Sequence, residues 1–398
     1  MNGFRKLLVP LAVAIPFISC ALDVSAKSAV VMDARTGKIL WAKDDETLRY
    51  PASTTKIMTA LLLLEHCEPN DVIVAPADVL KVKESSMHLK PGERVTAHDM
   101  LYALMLRSAN DGCYAVAVHI AGSVEAFSRM MNERARKIGC THTHFDNPNG
   151  LNDALHYTTA HDLALIAREA MKLPDFQNAV HTYRYRISRS IDQHDCTMVN
   201  HNKWLTKDTT ADGIKTGYTV PAGHCFVGSA TRNGYRVITV VMHSDHWQKD
   251  HQDMLHWAYA THTRVPILNH AEAVDTVKVA GGTKAAVSVV PVTDVDSLLD
   301  KSVTGRPQTS ISLKGPIAAP VEKGQVVGEV TVTDPDGFVQ VIPLAAADNV
   351  PRATNLVAKA GKTGTSGILI GGVLFAGTMF VRARTRRSRR YGTQLFRA

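Results

Sequence analysis

The segment YPASTTKIMTALL, Tyr50–Leu62, decides how this chain is read. Pro51 and Ser53 stand where a helix begins, and the apolar spacing carries that helix from Thr54 to about Glu65. Lys56 lies three positions after Ser53, about one helical turn, so the two side chains share a face. A serine hydroxyl is a poor nucleophile until a neighbour takes its proton. A lysine can do so when burial and nearby cations lower its pKa. The field at a helix N-terminus also favours negative charge developing there. A Ser-x-x-Lys pair is a common accident in a chain of this size. This sequence has it once, at a helix start.

Two further clusters lie downstream. LRSANDG, Leu106–Gly112, presents Ser108 and Asn110 where an apolar helix over HDMLYALMLRSAN ends in a loop, a place suited to displaying side chains in a cleft. GIKTGYT, Gly213–Thr219, puts Lys215 and Thr216 on a strand, followed by a glycine that lets another backbone or a ligand come close. Either alone is explained by a capped helix end or an ordinary strand. A second Lys-Thr-Gly at Lys362 lies past every predicted domain, and its surroundings lack the glycine spacing and preceding strand of a phosphate loop. It is read as coincidence.

Taken in order, Ser53–Lys56, Ser108–Asn110 and Lys215–Gly217 resemble the ordered motifs of penicillin-binding proteins and class A β-lactamases. The wider set YPASTTKIMTALL, LKPGE, LMLRSANDG, THFDNPNGL, HYTTAHDLA, DGIKTGYTVPAG and APVEKGQVVG resembles the low-molecular-mass penicillin-binding proteins, the serine D-alanyl-D-alanine carboxypeptidases. The resemblance covers about residues 28–350. It implies that Ser53 is the acylated nucleophile, Lys56 its general base, and Ser108 the relay that protonates the leaving D-alanine. It further implies that Asn110 holds the substrate amide and that Lys215 stabilises negative charge and keeps Lys56 deprotonated. Thr216 and Thr219 would bind the terminal carboxylate, with Gly217 between them. The N–H groups of Ser53 and Tyr218 would form an oxyanion hole. Peptidoglycan pentapeptide stems are the implied substrate and β-lactams the implied inhibitors; no cofactor and no metal is needed. One departure stands out. Family members often carry an arginine on the last sheet strand for the carboxylate, and VVMHSDHW offers Asp245 and histidines instead.

The rest of the chain is organised around this body. Length allows two or three domains. The net charge of +8 sits mainly in seven arginines after Val381, and residues 27–381 are near neutral, so nothing in bulk electrostatics points to nucleic acid. A basic start (Arg5, Lys6), an apolar run from Leu7 to about Ser19 and small residues ending at Ala26 predict an export signal over 1–26. Pro10 and Pro16 argue against an uncleaved anchor, and Phe17 against a lipid-modified Cys20. A hairpin at 29–42, helices in the middle and three strands from Asp212 predict an α+β domain over 27–264, of β-lactamase/transpeptidase type by the resemblance, whose sheet draws on both chain ends. Short strands over 265–350 predict a small all-β domain.

A linker over 351–365, a transmembrane segment over 366–381 and a basic cytoplasmic tail over 382–398 complete the expectation. The stretch Thr363–Val381 has no charged residue, and at about 1.5 Å per residue it matches a hydrocarbon core. The arginines that follow it obey the positive-inside rule. The body is thus expected outside the cytoplasmic membrane, anchored by its C-terminal helix. Five cysteines remain after the export signal, irregularly spaced, and suit small buried hydrophobes better than a disulfide framework. His243, His246, His251 and His256 repeat no known ligand spacing and are expected on a solvated helix face. The alternatives are a β-lactamase, which FDNPNGLND does not support because it lacks a glutamate base; a peptidoglycan endopeptidase on the same fold; and a silent wall-binding scaffold, which intact motifs disfavour.

Overall fold

The structure is a computed structural model describing residues 22–353. The first 21 residues, the linker beyond residue 353, the expected span and the basic tail lie outside the described residues. The chain opens with the hairpin β1 (Ser28–Asp33) and β2 (Ile39–Lys43). A single 3-10 turn over Ala52–Thr55 then runs into α1 (Lys56–His66). Every residue of α1 from Lys56 to Leu63 is buried, so this helix forms the centre of the molecule instead of an amphipathic surface. Ser53 therefore sits on the tight turn before the α-helix, not within it.

A short ribbon, β3 (Val72–Val74) with β4 (Arg94–Thr96), precedes α2 (Ala97–Tyr102), whose first turn is capped by the Thr96 hydroxyl accepting from Asp99 N–H. α2 widens into a π-helical segment, Ala103–Arg107, and stops at Ser108. α3 (Asn110–Ala121), α4 (Val124–Ile138), α5 (Ala160–Ala170) and α6 (Pro174–His181) follow. The Ser123 and Thr159 hydroxyls cap α4 and α5 by accepting from Ala126 and Asp162 N–H, and α4 ends on Gly139 at φ 103°. The sequence reading missed α3, because NDGCYAVAVHIA is small and apolar on nearly every side and shows no polar stripe. It also missed α6, a short helix that opens on a proline.

A second ribbon, β5 (Arg184–Arg186) with β6 (Thr197–Val199), leads to β7 (Ala211–Thr219), β8 (Gly223–Arg232), β9 (Tyr235–Ser244) and α7 (Trp247–Thr261). An Asn-Gly turn joins β8 to β9 with Asn233 at φ 50° and Gly234 at φ 77°, the hand a tight hairpin needs. The antiparallel sheet has the order β2-β1-β9-β8-β7 and so does draw on both ends of the domain. Strand alternation divides its side chains between two cores. Val30, Met32, Val227, Ile238 and Val240 face the helices around α1. Ala29, Val31, Phe226 and Val241 face α7 at Met254, Leu255 and Ala258. Among the described residues no further strand pairs with the edge strand β7, which runs beside the Ser53 turn.

β10 (His262–Leu268) pairs with β13 (Val295–Asp300). The second domain is otherwise a six-stranded sheet of β11 (Asp275–Ala280), β12 (Ala286–Pro291), β14 (Gln308–Leu313), β15 (Ile317–Ala318), β16 (Val326–Thr333) and β17 (Val339–Ala346), in the order β14-β16-β17-β12-β11-β15. Lys38, at the start of β2, reaches into it and donates to Asp334 at 2.8 Å and to the Leu298 carbonyl at 3.2 Å. Arg35 and Arg264 converge on Asp296 at the same junction.

One expectation needs amendment. His251 is fully buried, not on a solvated face: its Nδ1 meets the Thr239 hydroxyl and its ring lies edge-on to Trp204 and Phe226. Burial pushes its pKa down to about 3, so it is a neutral core residue. No helix among the described residues is long and apolar enough to cross a membrane; the expected span at 366–381 lies outside them. The five described cysteines are free, four of them buried.

Candidate active site

The first motif is held in an uncommon backbone conformation. Ala52, immediately before Ser53, has φ 48°, the left-handed region that alanine seldom occupies. The turn is fixed by the Pro51 carbonyl, which accepts from Thr54 N–H at 3.3 Å and from the Thr54 hydroxyl at 2.6 Å. Lys56 is 0 % exposed. Its amine lies 3.0 Å from Ser53 Oγ, 2.8 Å from Asn110 Oδ1 and 2.7 Å from the Asn149 carbonyl. That set suits either protonation state. A charged lysine donates to all three oxygens, whereas a neutral one donates to the two carbonyls and can accept from the serine hydroxyl.

The second motif follows from the π-helical widening of the chain. Such a bulge ends the regular ladder, and Ser108 leaves it at φ 63°. Its buried Oγ has no hydrogen-bond partner among the described residues, an arrangement that leaves it free for a ligand. Asn110, opening α3, spends its N–H on the Ser85 carbonyl at 2.7 Å and its amide nitrogen on the Lys83 carbonyl at 3.1 Å. Both fix the amide so that its oxygen faces Lys56. The neighbouring Asp111 accepts from Ser86 Oγ, Met87 N–H and Leu89 N–H, pinning the loop that overhangs the site.

The third motif closes the cleft from the sheet side. A Cβ at Gly217 would sit 3.0 Å from Ser53 N and 3.1 Å from the Pro51 carbonyl, so glycine lets β7 lie against the Ser53 turn without displacing it. Lys215 is 1 % exposed and, among the described residues, donates only to the Thr216 carbonyl, at 3.2 Å. Tyr218 is 57 % exposed and packs on the His224 ring with centroids 4.6 Å apart. Thr219 Oγ1 accepts from Ala222 N–H and shapes the β7–β8 turn. Thr216 is half-buried on the same strand.

Burial lowers both lysines, Lys56 to about 8 and Lys215 to about 7, and the charge of Lys56 adds to the depression at Lys215. Two amines buried in one site repel and titrate as a pair, so one of them is readily neutral near physiological pH. This is the condition under which a lysine can take a serine's proton.

Sequence reasoning missed the wall that completes the lysine's surroundings. FDNPNGL supplies the Asn149 carbonyl from a loop organised by Asn147, whose Oδ1 accepts from Gly150 N–H at 2.8 Å. Gly150 has φ 87°, and a Cβ there would overlap the Ala52 carbonyl at 1.8 Å. His156 ties this loop to the motif. Its Nδ1 accepts from Asp146 N–H at 3.0 Å, so the proton lies on Nε2, which faces Thr55 Oγ1 at 2.9 Å. Burial pushes its pKa down to about 4, keeping it neutral. The strings FDNPNGL and HYTTA were visible as family-like sequence, but a backbone carbonyl acting as ligand carries no residue-type signal.

Residues 15–246 match the profile of the D-alanyl-D-alanine carboxypeptidases. The chain belongs to this family. Residues 263–352 match the C-terminal domain of penicillin-binding protein 5. Among curated relatives, the carboxypeptidase DacF of Bacillus subtilis is 31 % identical over 339 residues, covering 82 % of this chain and 86 % of its own. DacD of Escherichia coli is 31 % identical over 353 residues, covering 84 % and 89 %. The crystal structure of penicillin-binding protein 5 from Haemophilus influenzae superposes with a TM-score of 0.68 at 27 % identity, covering 83 % of this chain and 98 % of that one. The protein is thus a two-domain serine D-Ala-D-Ala carboxypeptidase, of a family that works through an acyl-serine and is sensitive to β-lactams.

Proposed function

We propose that Ser53, Lys56, Ser108, Asn110 and Lys215 carry the carboxypeptidase reaction in the following roles. The single observation that supports this most directly is the 3.0 Å approach of a fully buried Lys56 amine to Ser53 Oγ. Neutral Lys56 takes the hydroxyl proton as Ser53 Oγ bonds to the carbonyl carbon of the penultimate D-alanine. The oxyanion is held by N–H groups of Ser53 and Tyr218, which the tight approach of Gly217 to the Ser53 turn favours. The carbon–nitrogen bond then breaks, and the departing amine receives the proton through Ser108. Water attacks the resulting ester, its proton again passing to Lys56, and Ser53 is restored as the shortened stem leaves. Asn110 orients the lysine and the substrate amide. Lys215, Thr216 and Thr219 receive the terminal carboxylate.

The substrates are peptidoglycan pentapeptide stems, and β-lactams acylate Ser53. The working position is the outer face of the cytoplasmic membrane, with an export signal at the N-terminus and anchoring through 366–381; the sequence pattern at the two ends supports this. The test is D-alanine release from a muropeptide ending in D-Ala-D-Ala. Ser53→Ala is expected to lose activity by at least about a thousandfold and to form no covalent β-lactam adduct by mass. Release that survives the substitution sinks the assignment.

A further inference from the structure

Residues 24–26, which the small-residue pattern at Ala26 would discard on export, are built into the folded domain. Val24 and Ala26 are buried in the apolar layer between the sheet and α7. Asp250, in the first turn of α7, is 3 % exposed and has four donors on its carboxylate. Three come from this segment: Ser25 N–H at 2.8 Å, Ser25 Oγ at 2.8 Å and Ala26 N–H at 2.9 Å. The fourth is Ser244 Oγ at 2.6 Å. Ser25 Oγ also accepts from His246 N–H at 3.0 Å, and Lys43 donates to the Val24 carbonyl at 2.8 Å. Cutting after Ala26 would strip three donors from a buried carboxylate and open the apolar layer above α7, a costly loss on both counts.

A second small-x-small pair lies upstream, Ser19 and Ala21, directly after the apolar run. We infer that the export signal ends there: signal peptidase hydrolyses the Ala21–Leu22 amide, and residues 22–26 of the mature enzyme serve as a clasp on Asp250. Water supplies the new carboxylate on Ala21 and the amine on Leu22. The clasp has a functional address. It fixes the corner 243–246, where His243, at φ 53°, packs against Gly223 at the start of β8, and β8 carries the His224 that supports Tyr218. The inference rests on the export reading given above.

N-terminal sequencing of the full-length chain after export from a bacterial host tests it. Leu22 is the expected first residue; Lys27, or any other processed start, overturns the assignment. An intact Met1 instead overturns cleavable export itself, so the two failures are distinguishable. In parallel, full-length chains starting at Leu22 and at Lys27 are compared by thermal melting. The shorter form is expected to melt several degrees lower, and Asp250→Asn to lower the melting temperature of the longer form more than that of the shorter. Equal melting of the two forms overturns the clasp.

Discussion

At Lys56 and Lys215 the geometry makes a prediction about pH. Burial holds them at about 8 and about 7, against 10.5 for a free lysine. The charged form is the inactive one for proton abstraction, so acylation of Ser53 should accelerate as pH rises from about 6 to about 9. Because burial, not the charge of Lys215, sets the depressed pKa of Lys56, Lys215→Gln should leave the ascending limb centred near 8, measured as the rate of acylation by a chromogenic β-lactam, and lose the separate step near 7; a limb displaced well away from 8 contradicts this division. Gly217→Ala would press a methyl group against Ser53 N. It is expected to cut kcat by about tenfold with a smaller change in KM, because the Ser53 turn must give way by a fraction of an ångström and the attack is misaligned. His156 is a positioning residue. His156→Ala should lower kcat and shift the same pH limb, since the Asn149 carbonyl is released from Lys56. His156→Gln, which can accept from Asp146 and donate to Thr55, should recover part of both; a melting change alone with an unmoved pH limb would leave His156 a purely structural residue.

Among the elements, the loops framing the cleft are held by buried charge. Arg189, from the segment after β5, grips Glu93 through two bonds at 2.8 and 2.9 Å, with both side chains 0 % exposed. Although burial opposes it, the guanidinium holds the Glu93 carboxyl below its ordinary range. Breaking such a pair leaves an uncompensated charge, so Arg189→Met should destabilise by about 3 kcal/mol in urea unfolding. The β9–α7 corner presents Asp245 with His224 and Lys249 around an open depression of ≈ 460 Å³. Sequence resemblance places an arginine of related enzymes near this corner, and an acid in its stead would disfavour a terminal carboxylate. Asp245→Arg is expected to lower KM for a D-Ala-D-Ala stem severalfold at unchanged kcat, and an unaltered KM would show that Lys215 and the threonines suffice.

For the whole molecule, the central sheet supports the site from one side and the helices from the other, so neither chain half can form it alone. The second domain is fastened by Lys38, which also pairs with Asp336 at 2.6 Å. At this scale the anchor is separately testable. A chain ended before Gly361 should appear in the soluble fraction of lysed cells, while the full chain sediments with membranes; a truncated chain that still sediments is held by something else.

The sequence by itself determined the α+β class, the sheet closed by both ends of the domain, the later β domain and the three motifs. Periodicity, caps and turn residues are local signals, and the motif side chains are rare enough in combination to be read in order. It did not reveal α3, whose small and apolar residues on nearly every side leave no amphipathic pattern, nor the core position of His251. Only the tertiary structure decided what surrounds Lys56. The Asn149 carbonyl, the His156 tie and the close passage of Gly217 are contacts between segments far apart in the chain. Desolvation, which makes the lysine a base, exists only once those segments have packed.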